Sequence, residues 1–589
     1  TIKLDGNYPV GTGNVALGDT ALDSNVSGGS NVAIGANALT ANTASNNTAV
    51  GKGALQANTA SNNIALGKTA GFTNTTGTEN VFIGSESSAS GYAAGYLNTT
   101  GSQNVAVGNN ALAQNTTASQ NTAVGYQAAY STTTAANNTA VGYQALRTNT
   151  TGYNAAFGSQ ALYYNTTGTA NTAVGPYGPM HLNTTGSYNT ALGETALYNN
   201  TTGNYNTAVG YQAGFYNTVG SLSTFVGYKS GYSSNVIGNG GNTAVGYETG
   251  LNLTTGYYNS FFGIDGSIGG AGGSTTTGTN NAFFGGAAGF ANTTASYNTA
   301  IGIQALRSNT TASNNTAVGY YALQSNTVAN NVALGYASAY QNTSGTGTTA
   351  LGYYALQANT TGNNCTVVGY QAGYDNTTGT ELAAIGYTAG AGNTTGPGNT
   401  MLGSRAGNYG VSLTTGAYNV VVGSYSHTSA VGSNNAIVIG HNVSGDSDYT
   451  TLGNAAADIR AAHGVATWAT VSDERYKKDI VDSTVGLSFI NDLTPRTFKY
   501  KTLGELPETF RAYKEGSTQV FKNSDTNHGF IAQEIKAAID LHPEIKDGFR
   551  LWDDRDDGSQ EVAEAALIPV LVKAVQELSA KNDALEARL

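Results

Sequence analysis

The sequence predicts a mainly β protein: a long parallel β-solenoid or β-roll of about 26 short repeats, then a small α+β domain ending in a coiled-coil-like helix. Three observations carry this. A five-residue motif ending in Gly recurs mostly every 16 or 17 residues, as in NVALG at Gly18, NTAVG at Gly51 and Gly142, NTALG at Gly193 and NTAIG at Gly302. Charge collects at one end, with roughly 38 of the 59 Asp, Glu, Lys and Arg residues beyond residue 460. Apolar residues spaced seven apart then close the chain.

These observations divide the chain into a lead-in (1–10), a Gly/Asn/Thr-rich rod (11–455), a linker (456–471), a domain core (472–560) and a terminal helix (561–589). Each rod unit has three parts. A short strand ends in an apolar residue and Gly, an apolar pair such as Ala145-Leu146 follows, and a polar turn such as Asn165-Thr166-Thr167-Gly168 closes it. The residue before the Gly is nearly always Val, Leu, Ile or Phe and the one before that usually Ala, the alternation of a narrow strand with two packed faces. A helix fails, because Gly, Asn and Thr are too frequent and no 3.6-residue stripe persists.

A unit this small buries no core alone, so the copies stack, each adding about 4.8 Å along an axis, for a rod on the order of 120 Å. Recurring Asn and Thr would form hydrogen-bonded ladders, and Gly would supply the backbone angles of the corners. Longer gaps near Gly108, Gly246, Gly285 and Gly423 are read as surface insertions. Disordered low complexity is the rival, but it has no need of an apolar residue kept in register before each Gly.

Composition excludes several roles. A net charge of -11 without a basic run gives no footprint for nucleic acid, and no apolar run is long enough for membrane insertion. The one cysteine, Cys365, excludes an internal disulfide and a Cys-rich metal site, and is read as a substitution at a slot of Thr or Val. No metal or cofactor is expected, and no Asp-rich calcium repeat appears. The many Asn-Xaa-Thr triplets follow from composition alone. A polysaccharide-degrading site wants paired acids in a cleft, whereas the rod scatters its few, as at Asp375 and Glu381.

The NTAVG-type units resemble the head repeats of trimeric autotransporter adhesins over roughly residues 11 to 455. That resemblance implies a left-handed parallel β-roll in a homotrimer. The units here are longer than in those heads, which leaves a larger roll and a triangular solenoid both open.

Beyond Gly453 the texture changes. The run Ser472-Asp473-Glu474-Arg475-Tyr476-Lys477, then LSFINDLTPRTFKY from Leu487, then His528-Gly529-Phe530-Ile531-Ala532-Gln533-Glu534, resembles the endosialidase-type intramolecular chaperone domain that ends many phage tail fibres and tailspikes. The resemblance spans about residues 470 to 589. It implies that Ser472 is the nucleophile of a single self-cleavage, Lys477 its general base, and Val471–Ser472 the bond cut, an autoproteolytic step rather than a turnover enzyme. A lysine acts as a base only if burial or neighbouring cations pull its pKa down from about 10.4, and Arg475 and Lys478 are the cations nearby. Five residues is an awkward separation on either a helix or a strand, so a turn or a neighbouring subunit has to close it. Without the resemblance Ser472 reads as a helix cap. His528 reads as a structural hydrogen bond near a strand, and Gln533 and Glu534 as fold-forming or subunit-contact residues rather than catalysts.

In the last segment Ile568, Val575, Asn582 and Leu589 alternate with Leu571, Leu578 and Leu585, each set seven apart. This is a coiled-coil seam or an amphipathic helix packed on its own domain. The two resemblances together imply a phage tail fibre on the virion tail: a homotrimer that contacts a host-surface glycan or protein receptor, joined to other tail or fibre proteins at its N-terminal end. A purely structural spacer and a bacterial cell-surface adhesin are the rivals. Tyr recurs just after the motif Gly, as at Tyr143, Tyr211 and Tyr320, so rows of rings could either stack on sugars or cover corners and subunit contacts.

Overall fold

The computed structural model describes residues 11–86, 91–238, 240–264, 269–455, 457–465, 468–470, 472–545, 549–555 and 558–588. The lead-in 1–10, Val471 and Leu589 lie outside them. The chain divides into two compact units, Thr1–Val471 and Ser472–Leu589.

In the first unit every repeat contributes one strand, mostly of three residues, and each strand pairs parallel and in register with the next. Val15 to Leu17 align on Val32 to Ile34, Thr139 to Val141 on Ala155 to Phe157, and Thr400 to Leu402 on Val420 to Val422. Among the described residues this makes a 28-stranded sheet whose pairings are parallel except the last two. This is a parallel β-solenoid of about 25 turns.

The interior is thin. The middle residue of each strand points inward and is typically fully buried, as are Ala33, Ala140 and Ala350, and the apolar pair of the following turn, such as Ala145 and Leu146, fills the rest. Where the middle residue is large, the coils give up their Leu. Phe82 stands where most coils have Ala, and a Cβ on Gly71 or Gly95 would lie 2.5 or 2.3 Å from its ring. Phe225 is matched by Gly214 and Gly231 in the same way. Volume is conserved locally, as a close-packed core requires.

Two asparagine ladders climb this interior. At the slot before most strands stands an Asn whose side-chain oxygen accepts from the backbone N–H of the equivalent residue one coil on, as from Asn63 to Asn47 at 2.9 Å and from Asn80 to Asn63 at 3.0 Å. The amide of the same side chain donates to a turn carbonyl, as Asn63 does to Gly77 at 2.8 Å. In the polar turn the amides link directly, Asn74 to Asn58 at 2.7 Å and Asn359 to Asn342 at 2.7 Å. Buried amides with both ends satisfied cost little to bury and fix the stacking. Cys365 occupies this Asn slot, not a Thr or Val slot, and its thiol points at the Gly379 carbonyl at 3.4 Å. The motif Gly is required by geometry: at Gly142 φ is +136°, and a Cβ would sit 2.4 Å from the Gly158 carbonyl oxygen.

Within the linker segment the chain folds back. Ala457–Ala462 pairs antiparallel with the final parallel strand, Tyr449–Asn454, and Ala469–Thr470 pairs with it in turn, so the last strand of the stack is covered. The insertion between Thr400–Leu402 and Val420–Val422 forms a small hairpin, Asn408–Tyr409 with Val411–Ser412.

The second unit is α+β. Helices α1 (Leu487–Asp492), α2 (Ala532–Asp540) and α3 (Leu567–Glu586) accompany two antiparallel pairs, Arg496–Phe498 with Asn527–Gly529 and Trp552–Asp554 with Gln560–Val562. Phe489, Ile535, Ile539, Leu551, Leu567 and Val570 form its core. Glu577 of α3 ties this core together by accepting from the Leu487 N–H at 2.9 Å.

Candidate functional site

The second unit begins at Ser472. Asp473 is extended, a single 3-10 turn spans Glu474–Tyr476, and Lys477 is extended again, with its N–H bonded to the Glu474 carbonyl at 2.9 Å. This turn closes the awkward five-residue separation within one chain: Lys477 Nζ lies 2.7 Å from Ser472 Oγ. The ammonium donates along that line, and a deprotonated amine would accept the hydroxyl proton along it.

Asp473, not Ser472, caps the turn. Its carboxylate accepts the Arg475 N–H at 2.9 Å and two guanidinium bonds from the same residue at 2.9 and 2.6 Å. The Arg475 side chain, with its backbone N–H, holds the Asp473 carboxyl below the usual range. Arg475 is thus turned onto Asp473 rather than onto Lys477. An Asp two residues before an Arg at a helix start is a legible signal for this arrangement, and one the sequence reading missed. Ser472 and Lys477 are both exposed in the single chain.

The HGFIAQE run lies apart from this pair in sequence and does other work. His528, in the strand Asn527–Gly529, is exposed and borders an open groove of about 800 Å³ with Phe498, Tyr500, Phe530 and Gln533. Glu534, at the start of α2, receives two bonds from Arg496 at 3.0 and 2.7 Å, and that guanidinium holds its carboxyl low. Glu534 is therefore an intrachain tie.

Helix α3 presents two stripes. Leu567, Val570 and Ala574 are buried against the unit's own core. The heptad residues Ile568, Leu571, Val575, Leu578 and Leu585 are exposed, at 44–65%. The first stripe packs the helix on its own unit, and the heptad stripe stays exposed in the single chain.

The tyrosine rows are continuous. Tyr320, Tyr336, Tyr353, Tyr370 and Tyr387 stack with centroids 5.1–5.3 Å apart and planes within 17°. A second row stacks Tyr163, His181, Tyr198, Phe215 and Tyr232. Each interior ring has both faces against neighbouring rings, so what it turns outward is an edge, with a hydroxyl only where the ring is Tyr. Stacking on a sugar needs a free face, and even at the row ends Arg405 lies over Tyr387 and Arg147 over Tyr163.

Residues 472–542 match a family model described as chaperone of endosialidase. The matched stretch runs from the serine of the Ser472–Lys477 pair through α2 and stops short of α3. No curated protein and no solved structure matches the chain.

Proposed function

We propose that this chain is a fibre protein, most simply a phage tail fibre that contacts a host surface, whose C-terminal unit brings three copies together, sets their register and then cuts itself off. The observation that carries this reading is the placement of one candidate pair: Ser472 and Lys477 stand 2.7 Å apart at the first residue of the second unit, where the family match also begins.

The physical need for such a unit lies in the repeats. Three near-identical columns paired one coil out of register would bury almost the same surface as the correct trimer, so the rod alone hardly penalises a slip. A non-repeating domain that associates first aligns the three chains at one end. The exposed heptad face of α3 supplies the contact, with Asn582 at a core position to fix register. Once the unit is removed, the rod has lost its assembly route and is held by its unfolding barrier.

In the cleavage step Ser472 Oγ attacks the carbonyl carbon of Val471, its proton passing to Lys477 Nζ. The Val471–Ser472 amide breaks as that proton is delivered to the leaving nitrogen, leaving an ester on Oγ and a free α-amine, and water then hydrolyses the ester. A lysine serves as a base where water is excluded from it. Since the pair is exposed in a single chain, that exclusion falls to neighbouring chains, which couples cutting to completed assembly.

The test is a denaturing gel. The wild-type chain of 60.0 kDa should lose roughly 13 kDa (about 118 residues at a typical ~110 Da). Ser472→Ala should stay full-length, and Lys477→Met should slow the cut by about 10²-fold or more. A wild-type chain that stays whole under all conditions refutes self-processing.

A further inference from the structure

The strands have a second face that stays partly open among the described residues of the first unit. In each Thr-Ala-Val-type triplet the middle residue points inward, so the first and third point outward. The third is the apolar residue before the Gly, and its outward side chain is half-buried or exposed: Leu66, Phe157, Leu192, Leu334, Ile385 and Leu402 reach 39–46%. With half-buried valines between them, these residues form one unbroken row along the sheet, a strand spacing of about 4.8 Å apart. No Asp, Glu, Lys or Arg interrupts the triplets from Val15–Leu17 to Val420–Val422. Charged residues of these coils, such as Lys68 with Glu86, Lys229 and Arg405, sit in the turns instead.

We propose that this row is the face by which the solenoid packs, coil against equivalent coil, on further copies of the same chain. The area is of the right size: the row leaves on the order of 1,000 Å² of apolar surface uncovered, above the few hundred Å² a monomer usually shows in one patch and close to the ~800 Å² per partner of a stable interface. The period selects the occupant. A foreign surface would have to repeat at the strand spacing along the whole column to fill the gaps between these side chains, and a second copy does so by construction. One such row per chain also suits a closed ring, with the rows meeting on the axis.

This inference rests on the trimer reading above and is testable separately from it. In the full chain, Leu334→Cys should give covalent dimers with a mild oxidant or a short bis-maleimide, at least about tenfold more than Thr361→Cys, which is exposed in the polar turn. Buried Cys365 is the internal blank. A three-chain mass by light scattering without preferential Leu334→Cys cross-linking overturns this inference and leaves the trimer standing. A single-chain mass overturns both. As a second variant, Leu334→Glu with Leu351→Glu should lower the melting temperature, because the row is covered in the assembly; an unchanged melting temperature would mean that it faces water.

Discussion

The solenoid and the C-terminal unit solve the problem of burial by opposite means. The solenoid buries the same few groups in every coil: a small middle residue, an apolar pair and amides that bond to their own equivalents at Asn47, Asn63 and Asn80. Its stability is therefore a sum of nearest-neighbour terms. The second unit packs Phe489, Ile535, Leu551 and Leu567 into one non-repeating core and ties it with single-use contacts such as Leu487 to Glu577 and Arg496 to Glu534. Repetition yields length without address. The unit that cannot slip is the one suited to telling the other where to begin.

The largest effect should come from the exposed seam of α3. Leu571→Asp with Leu578→Asp changes two side chains that are 44% and 56% exposed in the single chain, so the unit's own core should survive. Light scattering on the uncleaved Ser472→Ala chain should then fall from a three-chain mass to one. A three-chain mass retained in the double variant would mean that the solenoid finds its partners unaided, and the division of labour between the two regions would be wrong.

A smaller and more local effect is expected from the ladder. Asn63→Ala removes the acceptor of the Asn80 N–H and the donor to Gly77, leaving buried groups unpaired at a cost of about 2–3 kcal/mol. In a repeat column the damage should stay near its source. Amide exchange should accelerate in Thr48–Val50, Ile64–Leu66 and Val81–Ile83, while distant coils such as Thr349–Leu351 keep their protection. Uniform acceleration along the column would show instead that it unfolds as one cooperative block.

How far the sequence could be read differs between the two regions for the same reason. In the solenoid, repetition averages away local ambiguity: the motif Gly at 142, the buried Ala at 140 and the Asn ladder all follow from recurring positions, and so does the one-strand coil. What repetition cannot reveal is whether the outward face is covered, because alternation distinguishes two faces without saying which has a partner. The row at Leu192 and Leu334 was therefore read as packed when this chain leaves it open. Cys365 was placed one position late in the motif, since a lone exception has no second copy to check it against. In the second unit each feature occurs once. The five-residue gap between Ser472 and Lys477 is awkward on a helix or strand and calls for a turn or a neighbouring subunit; a single 3-10 turn spans it, which depends on Asp473 capping locally. The sequence leaves a seam and a packed amphipathic helix both open for α3, because Leu567, Val570 and Ala574 are interleaved with the heptad positions and part from them only on the folded helix.

Two histidines offer the finest contrast between the regions, because acid should move them in opposite directions. His542 has Asp492 2.7 Å from Nε2 and Glu544 3.1 Å from Nδ1, so both ring nitrogens can donate only when it is charged, and the Asp492 bond, aided by Glu544, holds its pKa above the usual 6.5. Its contribution is full below about pH 6.5 and is lost as pH rises through the raised value. His181 is the reverse: burial between the rings of Tyr163 and Tyr198 pushes its pKa down, so its coil is favoured above about 6.5 and loses stability as pH falls below it. Between pH 7.5 and 5.5 the unfolding midpoint of the C-terminal unit should rise while exchange around Met180 and Leu197 quickens, each by about 1 kcal/mol or less. His542→Gln should flatten the first trend and His181→Phe the second. If His181→Phe leaves the acid response of its coil unchanged, the response belongs to some other group, and the aromatic row does not carry a neutral imidazole as a stacking ring.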